Sequence, residues 1–349
     1  MKADVLIVGQ GLAGSLLAWQ LLRRDQRILV VDRDEAVTSS KVAAGLVTPL
    51  AGSRFNLPGG LEERLLHAKQ FYWDIEELTG ERLFHHRKIA RLFRSREEGK
   101  LWNERLAKEG ESLRRYAGPL SIDRNRFHLP HGGFEMSGGG WLDVPHFLEV
   151  TRQRLIESAS YAIGRVGSDE VHATGCGIRW KNVEAGSVVF CEGWRGNLNR
   201  FFEWLPMNPV LGDILDLRLP ELQDEQRIVS KGGWLLPLGG GNFRAGSTYR
   251  HDIAEESPSK EAKEEITEKL SSITPLPFEV TNHRAAIRPV IRRSQIFMGT
   301  HPARPKIGFF NGLGSKGVLN GPWHAGKLAA HLVEGGPLPE SADLQSNLV

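Results

Sequence analysis

The residues best suited to chemistry stand at the start of the chain. Gly9-Gln10-Gly11-Leu12-Ala13-Gly14 follows an apolar run of strand length, and Asp32 lies eighteen residues beyond the last glycine. Gly9 permits a tight turn, Gly11 lets a pyrophosphate approach bare backbone, and Gly14 lets a helix pack closely on a strand. Leu12 and Ala13 open that helix, whose free N–H groups and positive dipole end suit phosphate oxygens. Asp32 can accept both hydroxyls of an adenosine ribose, with Arg33 beside it. The set predicts a dinucleotide site. Ser39, Ser40, Ala44 and Gly45 follow as a loop or short helix start: the hydroxyls can bond phosphate or ring edges, and the small residues permit close approach of a flat group. Cys191-Glu192-Gly193 ends another apolar strand and is expected to border the same crevice.

The elements that must position these residues are legible around them. Residues 3–8 and 27–31 read as strands, and Leu16, Leu17, Leu21 and Leu22 trace the helix between them. Helices are predicted over 61–78, 97–111, near 145–157, and over 257–270. A final helix runs to about 332. Short strands are predicted at 89–94, 160–163, 177–180 and 188–191. From 209 to 252 the period changes from 3.6 to 2, with strands at 211–217, 233–238 and 242–248, which marks a mainly antiparallel second domain. The fold class is therefore α/β, a Rossmann-like domain with an antiparallel α+β substrate domain. The expected division is 1–80, 140–206 and 286–335 for the cofactor domain, 81–139 and 207–285 for the substrate domain, and 336–349 as a loose tail.

Composition sets the outer bounds. With 349 residues the chain can hold two cores, and 40% apolar and 25% charged residues are those of a globular protein. A net charge of +3 is too small to imply nucleic acid, though it suits an anionic substrate. The two cysteines form neither a C-x-x-C pair nor a metal spacing, and the adjacent His85 and His86 are not a metal motif, so no metal is expected. No stretch reaches eighteen apolar residues and no signal peptide is visible, which points to a cytoplasmic protein without a membrane span.

A second Gly-rich strand-to-helix turn, Gly312-Leu313-Gly314-Ser315-Lys316-Gly317, stands near the other end. With Gly9–Gly14, Asp32, Gly140-Trp141-Leu142-Asp143, Pro209-Val210-x-Gly212, Gly246-Ser247-Thr248 and Ile287-Arg288-Pro289 in the same order, nearly the whole chain resembles the D-amino-acid oxidase and glycine oxidase group of FAD-dependent oxidoreductases. The resemblance implies non-covalent FAD lying extended in the first domain, with the C-terminal helix aimed at the isoalloxazine and Val166 bracketing the adenine. It implies that Arg288 clamps a substrate carboxylate, a role that suits a bidentate guanidinium. Trp234 stands where glycine oxidase-like members carry a tyrosine and has no hydroxyl to share the carboxylate. Tyr249 is expected to face the site or to pack at a strand end.

The activity so implied is oxidation of a carbon–nitrogen bond in an amine or amino acid bearing a carboxylate. A hydride passes to flavin N5, the imine hydrolyses, and O2 or another acceptor takes the electrons. Lys41 is expected to favour oxygen reduction if it faces the flavin. Two alternatives accompany this reading. The run Ala44-Gly45 to Pro49-Leu50-x-Gly52 also resembles the flavin domain of a tRNA wobble-uridine side-chain oxidase, for which the basic 85–96 segment would meet RNA, although no aromatic interleaving supports it. The other alternative is a flavin-bearing subunit of a larger dehydrogenase.

Overall fold

The computed structural model describes residues 1–50, 52–251 and 256–347. Strand β1 (Lys2–Val8), helix α1 (Leu12–Leu22), strand β2 (Ile28–Asp32) and the short helix α2 (Ser39–Val42) form the opening unit. Both strands are apolar along almost their whole length because they lie inside a parallel sheet covered on both faces. Five strands run parallel in the order Arg304–Asn311, Val183–Phe190, β1, β2 and Tyr161–Ile163. Antiparallel strands extend this sheet: Phe297–His301 joins Arg304–Asn311, while Ile178–Trp180 and Val171–Ala173 continue from Val183–Phe190.

Helix α1 is apolar nearly all round and is buried accordingly, between the sheet and the C-terminal helix Gly317–Glu334. Gly317 and Gly321 allow that approach; a Cβ at 317 would stand 3.0 Å from Leu12 Cδ2, and one at 321 would overlap Leu16. The Tyr72 hydroxyl, on helix Leu61–Thr79, donates to the Val318 carbonyl at 2.9 Å and ties a third helix to the pair.

A second eight-stranded sheet runs in the order Glu279–Arg288, Val210–Arg218, Asn242–Gly246, Gly233–Gly239, Ile228–Lys231, Ile89–Leu92, Gly133–Met136 and Ala117–Gly118. All its pairs are antiparallel except Ile228–Lys231 with Ile89–Leu92. Alternation along the strands gives its two faces different tasks. Leu215, Leu217, Leu235, Phe243 and Ala245 pack against Ile266, Leu270 and Ile273 of helix Lys260–Ile273. Ile214, Ala286 and Trp234 pack instead against Val42 of α2. The second sheet thus lays one face on the opening unit. A small sheet of Leu46–Val47, Gly140–Leu142 and Phe84–His86 lies beside them.

Two elements differ from expectation. The segment 279–288, to which no element was assigned, is a full edge strand ending at Arg288, held by nine register pairs with Val210–Arg218. The tail, read as loose, packs on strand Phe297–His301: the Met298 N–H donates to Ala342 O, Leu344 N–H donates to Met298 O, and Leu344 is fully buried. Ala342 and Leu344 are isolated apolar residues in a polar stretch, so periodicity carried no sign of this docking. Among the described residues no helix is long and apolar enough to cross a membrane.

Candidate active site

One cavity of about 830 Å³ runs from the tip of β2 to the free face of the second sheet. That volume is at the upper end for a ligand site and exceeds what one small amino acid fills. Its first wall is the Gly9–Gly14 turn. Gly9 has φ +101°, and a Cβ there would stand 2.5 Å from the Cys191 carbonyl oxygen. Gly14 does not reach the cavity: a Cβ on it would overlap the Gly9 carbonyl, so it serves the helix–strand contact. Gly11 caps α1 with no side-chain bond to the helix N–H groups, and Leu12 and Ala13 line the cavity beside it. Ser40 approaches from α2, its Oγ accepting the Leu12 N–H at 3.0 Å; Ser39 lies next to it.

Asp32 stands at the tip of β2 with its carboxylate already oriented. Oδ2 accepts the Gln10 N–H at 2.6 Å and Oδ1 the Asp34 N–H at 2.7 Å. Val166, almost fully buried, lines the cavity close by, because strand Tyr161–Ile163 is the neighbour of β2. Arg33 points its guanidinium toward Glu35 (3.8 Å) and Glu192 (3.7 Å). Burial pushes the Glu192 carboxyl above its usual range, although Asn199 donates to it at 2.8 Å and arginines surround it. Burial likewise pushes up the Cys191 thiol, which is therefore held as a neutral packing group at the strand end.

At the far end, Leu313, Gly314, Ser315 and Gly317 line the cavity, and the C-terminal helix opens there without a side-chain cap. Two helix N-termini therefore face one space. Gly312 and Lys316 stand outside the lining: Gly312 has φ +82° and abuts the Gln295 carbonyl, while Lys316 is exposed. The sequence reading missed Asn311. Its Nδ2 donates to the Gly193 carbonyl at 2.6 Å and its Oδ1 accepts the Gly312 N–H at 2.9 Å, joining two strand ends that border the cavity. A buried amide at the close of an apolar strand is the one signal that pointed to it. Ala44 and Gly45 line the turn after α2, where a Cβ on Gly45 would overlap the Leu142 carbonyl.

The second sheet closes the cavity with Gly212, Ile214, Trp234, Ala286 and Arg288, and with Tyr249 at its rim. Arg288 Nη1 donates to the Thr248 carbonyl at 3.0 Å, and Tyr249 places its ring 5.4 Å from the guanidinium carbon. Burial lowers the pKa of Arg288, and no carboxylate of the described residues pairs with it. Trp234 is half-buried against Val42, Ile214 and Ala286, and half of Tyr249 is exposed. Lys41 lines the cavity, but its ammonium donates to the Glu35 carbonyl at 2.6 Å and lies 3.7 Å from Asp34. Its charge is thus committed to the Asp32 end, away from Arg288.

This arrangement fits FAD. Two helix N-termini whose own cap residues make no side-chain bond and a cradle at Gly11 suit its phosphates, an oriented acid suits its ribose, and the one cavity reaches both helix ends.

Comparison with known proteins agrees. The family model described as FAD dependent oxidoreductase (DAO) matches residues 4–332. A glycine oxidase of Pseudomonas putida is 26% identical over 317 residues, with 83% of each chain covered. A bifunctional protein of tRNA 5-methylaminomethyl-2-thiouridine biosynthesis from Methylibium petroleiphilum is 25% identical; the alignment takes in 99% of this chain but only 59% of that relative. Among solved structures, glycine oxidase from Geobacillus kaustophilus superposes with a TM-score of 0.82 at 19% identity, covering 96% of this chain and 95% of that one. Iminodiacetate oxidase from Chelativorans sp. BNC1 gives 0.81 at 16%, with 96% of both covered.

Proposed function

The chain belongs to the FAD-dependent oxidoreductase (DAO) family, and from that premise we propose that it oxidises the carbon–nitrogen bond of an amine or amino acid bearing a carboxylate. The observation that carries this reading is Arg288, a guanidinium inside the cavity that forms no ion pair with a carboxylate among the described residues. A desolvated cation without a partner is costly, and an anionic ligand removes that cost. Its Nη1 is fixed by Thr248, and no other hydrogen bond to a described residue occupies the fork, which suits a carboxylate.

When bound, FAD supplies the acceptor for the two electrons and the hydrogen leaving the α-carbon. The protein's part is placement. Arg288 fixes one end of the substrate, and the apolar wall of Ile214, Ala286 and Trp234 bounds the space beside it. Water is kept from that wall, and the reacting carbon is held in a single orientation. Trp234 offers no hydroxyl to the carboxylate, so the clamp rests on Arg288 with Tyr249 stacked at its edge. The amine reacts as the free base, and the imine product hydrolyses after release.

The similarity to the tRNA-modifying relative supports a second reading, in which the amine is borne on a tRNA nucleoside. Anaerobic mixing with amino acids, N-alkyl glycines and modified tRNA, read as bleaching of the flavin band, separates the two. Bleaching by a small carboxylated amine is the expected result. Bleaching by tRNA alone would favour the second reading, and none by any carboxylated amine would refute the proposal.

A further inference from the structure

We propose that Asp213 is a positioning residue for the carboxylate site, acting from the opposite face of the sheet through Thr248 on Arg288; this rests on the assignment of Arg288 as the carboxylate's partner. Asp213 lies on strand Val210–Arg218 between Gly212 and Ile214, both of which line the cavity, so alternation turns it away from the ligand. It is fully buried. The next residues on that face, Leu215 and Leu217, are ordinary core. An acid there costs stability unless it is fully paired, and an apolar residue would pack at no such cost.

The pairing is complete and has a direction. Asp213 Oδ1 accepts from the Thr248 hydroxyl at 3.0 Å and from Arg250 Nη2 at 2.8 Å, and Oδ2 meets His283 Nε2 at 2.9 Å. The Asp213 N–H donates back to Thr248 Oγ1 at 2.9 Å. Thr248, itself fully buried, is therefore held by both its hydroxyl proton and its lone pair. Its carbonyl is the acceptor for Arg288 Nη1. On either side the segment is pinned again: Lys269 Nζ donates to Ser247 O at 2.9 Å, and Arg250 exchanges backbone bonds with Leu211. The buried acid thus fixes one carbonyl, and that carbonyl orients the guanidinium.

The test titrates FAD-loaded enzyme with acetate, a bare carboxylate, and follows the perturbation of the flavin absorption band. Thr248→Val and Asp213→Asn are expected to weaken acetate about three- to ten-fold, the span for losing one oriented hydrogen bond. Thr248→Ser should bind as the native enzyme does, and all three should keep their FAD content. If the Val variant loses FAD, Thr248→Cys, which keeps the volume and weakens the bond, replaces it with the same expectation. Native acetate affinity in Thr248→Val and Asp213→Asn, alongside weakened binding in Arg288→Ala, would overturn this inference and leave the Arg288 assignment standing. Native affinity in Arg288→Ala would remove that assignment and the inference with it.

Discussion

The guanidinium of Arg288 lies directly against the α-carbon of Gly212: any Cβ at position 212 would overlap its central carbon and both terminal nitrogens. Val210–Arg218 and Glu279–Arg288 pair antiparallel, with Gly212 opposite Ala286, so the arginine two residues on folds its side chain back over the glycine. Gly212→Ala should therefore displace the guanidinium while leaving the residue itself intact. Carboxylate binding, followed through the flavin spectrum, is expected to weaken as in Arg288→Ala, by up to about 3 kcal/mol. The double variant should be no worse than either single one, because both remove the same interaction. Additive losses would show that the two residues act separately.

Gly11→Val should give folded but colourless protein. A Cβ at 11 would already sit 3.2 Å from Ser40 Oγ, and the two further methyls of valine fill the space facing α2. Circular dichroism should stay native, while the melting temperature falls by the stabilisation that bound FAD provides. Recovery of yellow variant at full stoichiometry would place the phosphates elsewhere.

Lys41→Met should leave the rate of flavin reoxidation by oxygen unchanged. The ammonium is spent on the Glu35 carbonyl and Asp34, so its charge is directed away from Arg288. Stopped-flow reoxidation of the reduced enzyme measures this directly, and a marked slowing would return Lys41 to the reacting centre.

His324 makes a pH prediction about stability. Burial in the C-terminal helix lowers its pKa from 6.5 to about 4, with its Nδ1 bonded to the Asn320 carbonyl. The unfolded chain therefore takes up a proton below pH 6.5 that the folded chain refuses until about 4. Stability from this group is fully present above pH 6.5 and is lost as pH falls through that window. Urea unfolding at pH 7 and pH 5 should differ by about 2 kcal/mol more in the native protein than in His324→Gln. Equal differences would show that the ring protonates in place.

What the sequence determined by itself was local. The Gly9–Gly14 turn, Asp32 and the strands β1 and β2 lie within about thirty residues, and the contacts among them, such as Gly14 on Gly9 and Gln10 N–H on Asp32, form between near neighbours in the chain. Glycine spacing and apolar runs encode such contacts directly, which is why the cofactor end, the α/β class and the change of period near residue 209 could be read without coordinates. Only the tertiary structure decided the surroundings of Arg288. Arg288 was visible as a residue type, but its seat on Gly212 and its bond to a backbone carbonyl at Thr248 depend on strand register. A main-chain oxygen carries no residue-type signal, and a glycine opposite a distant arginine looks like any other glycine. Lys41 and the tail show the same limit. The lysine's direction was settled by the carbonyl it meets, and Leu344 is buried only because strand Phe297–His301 lies beneath it.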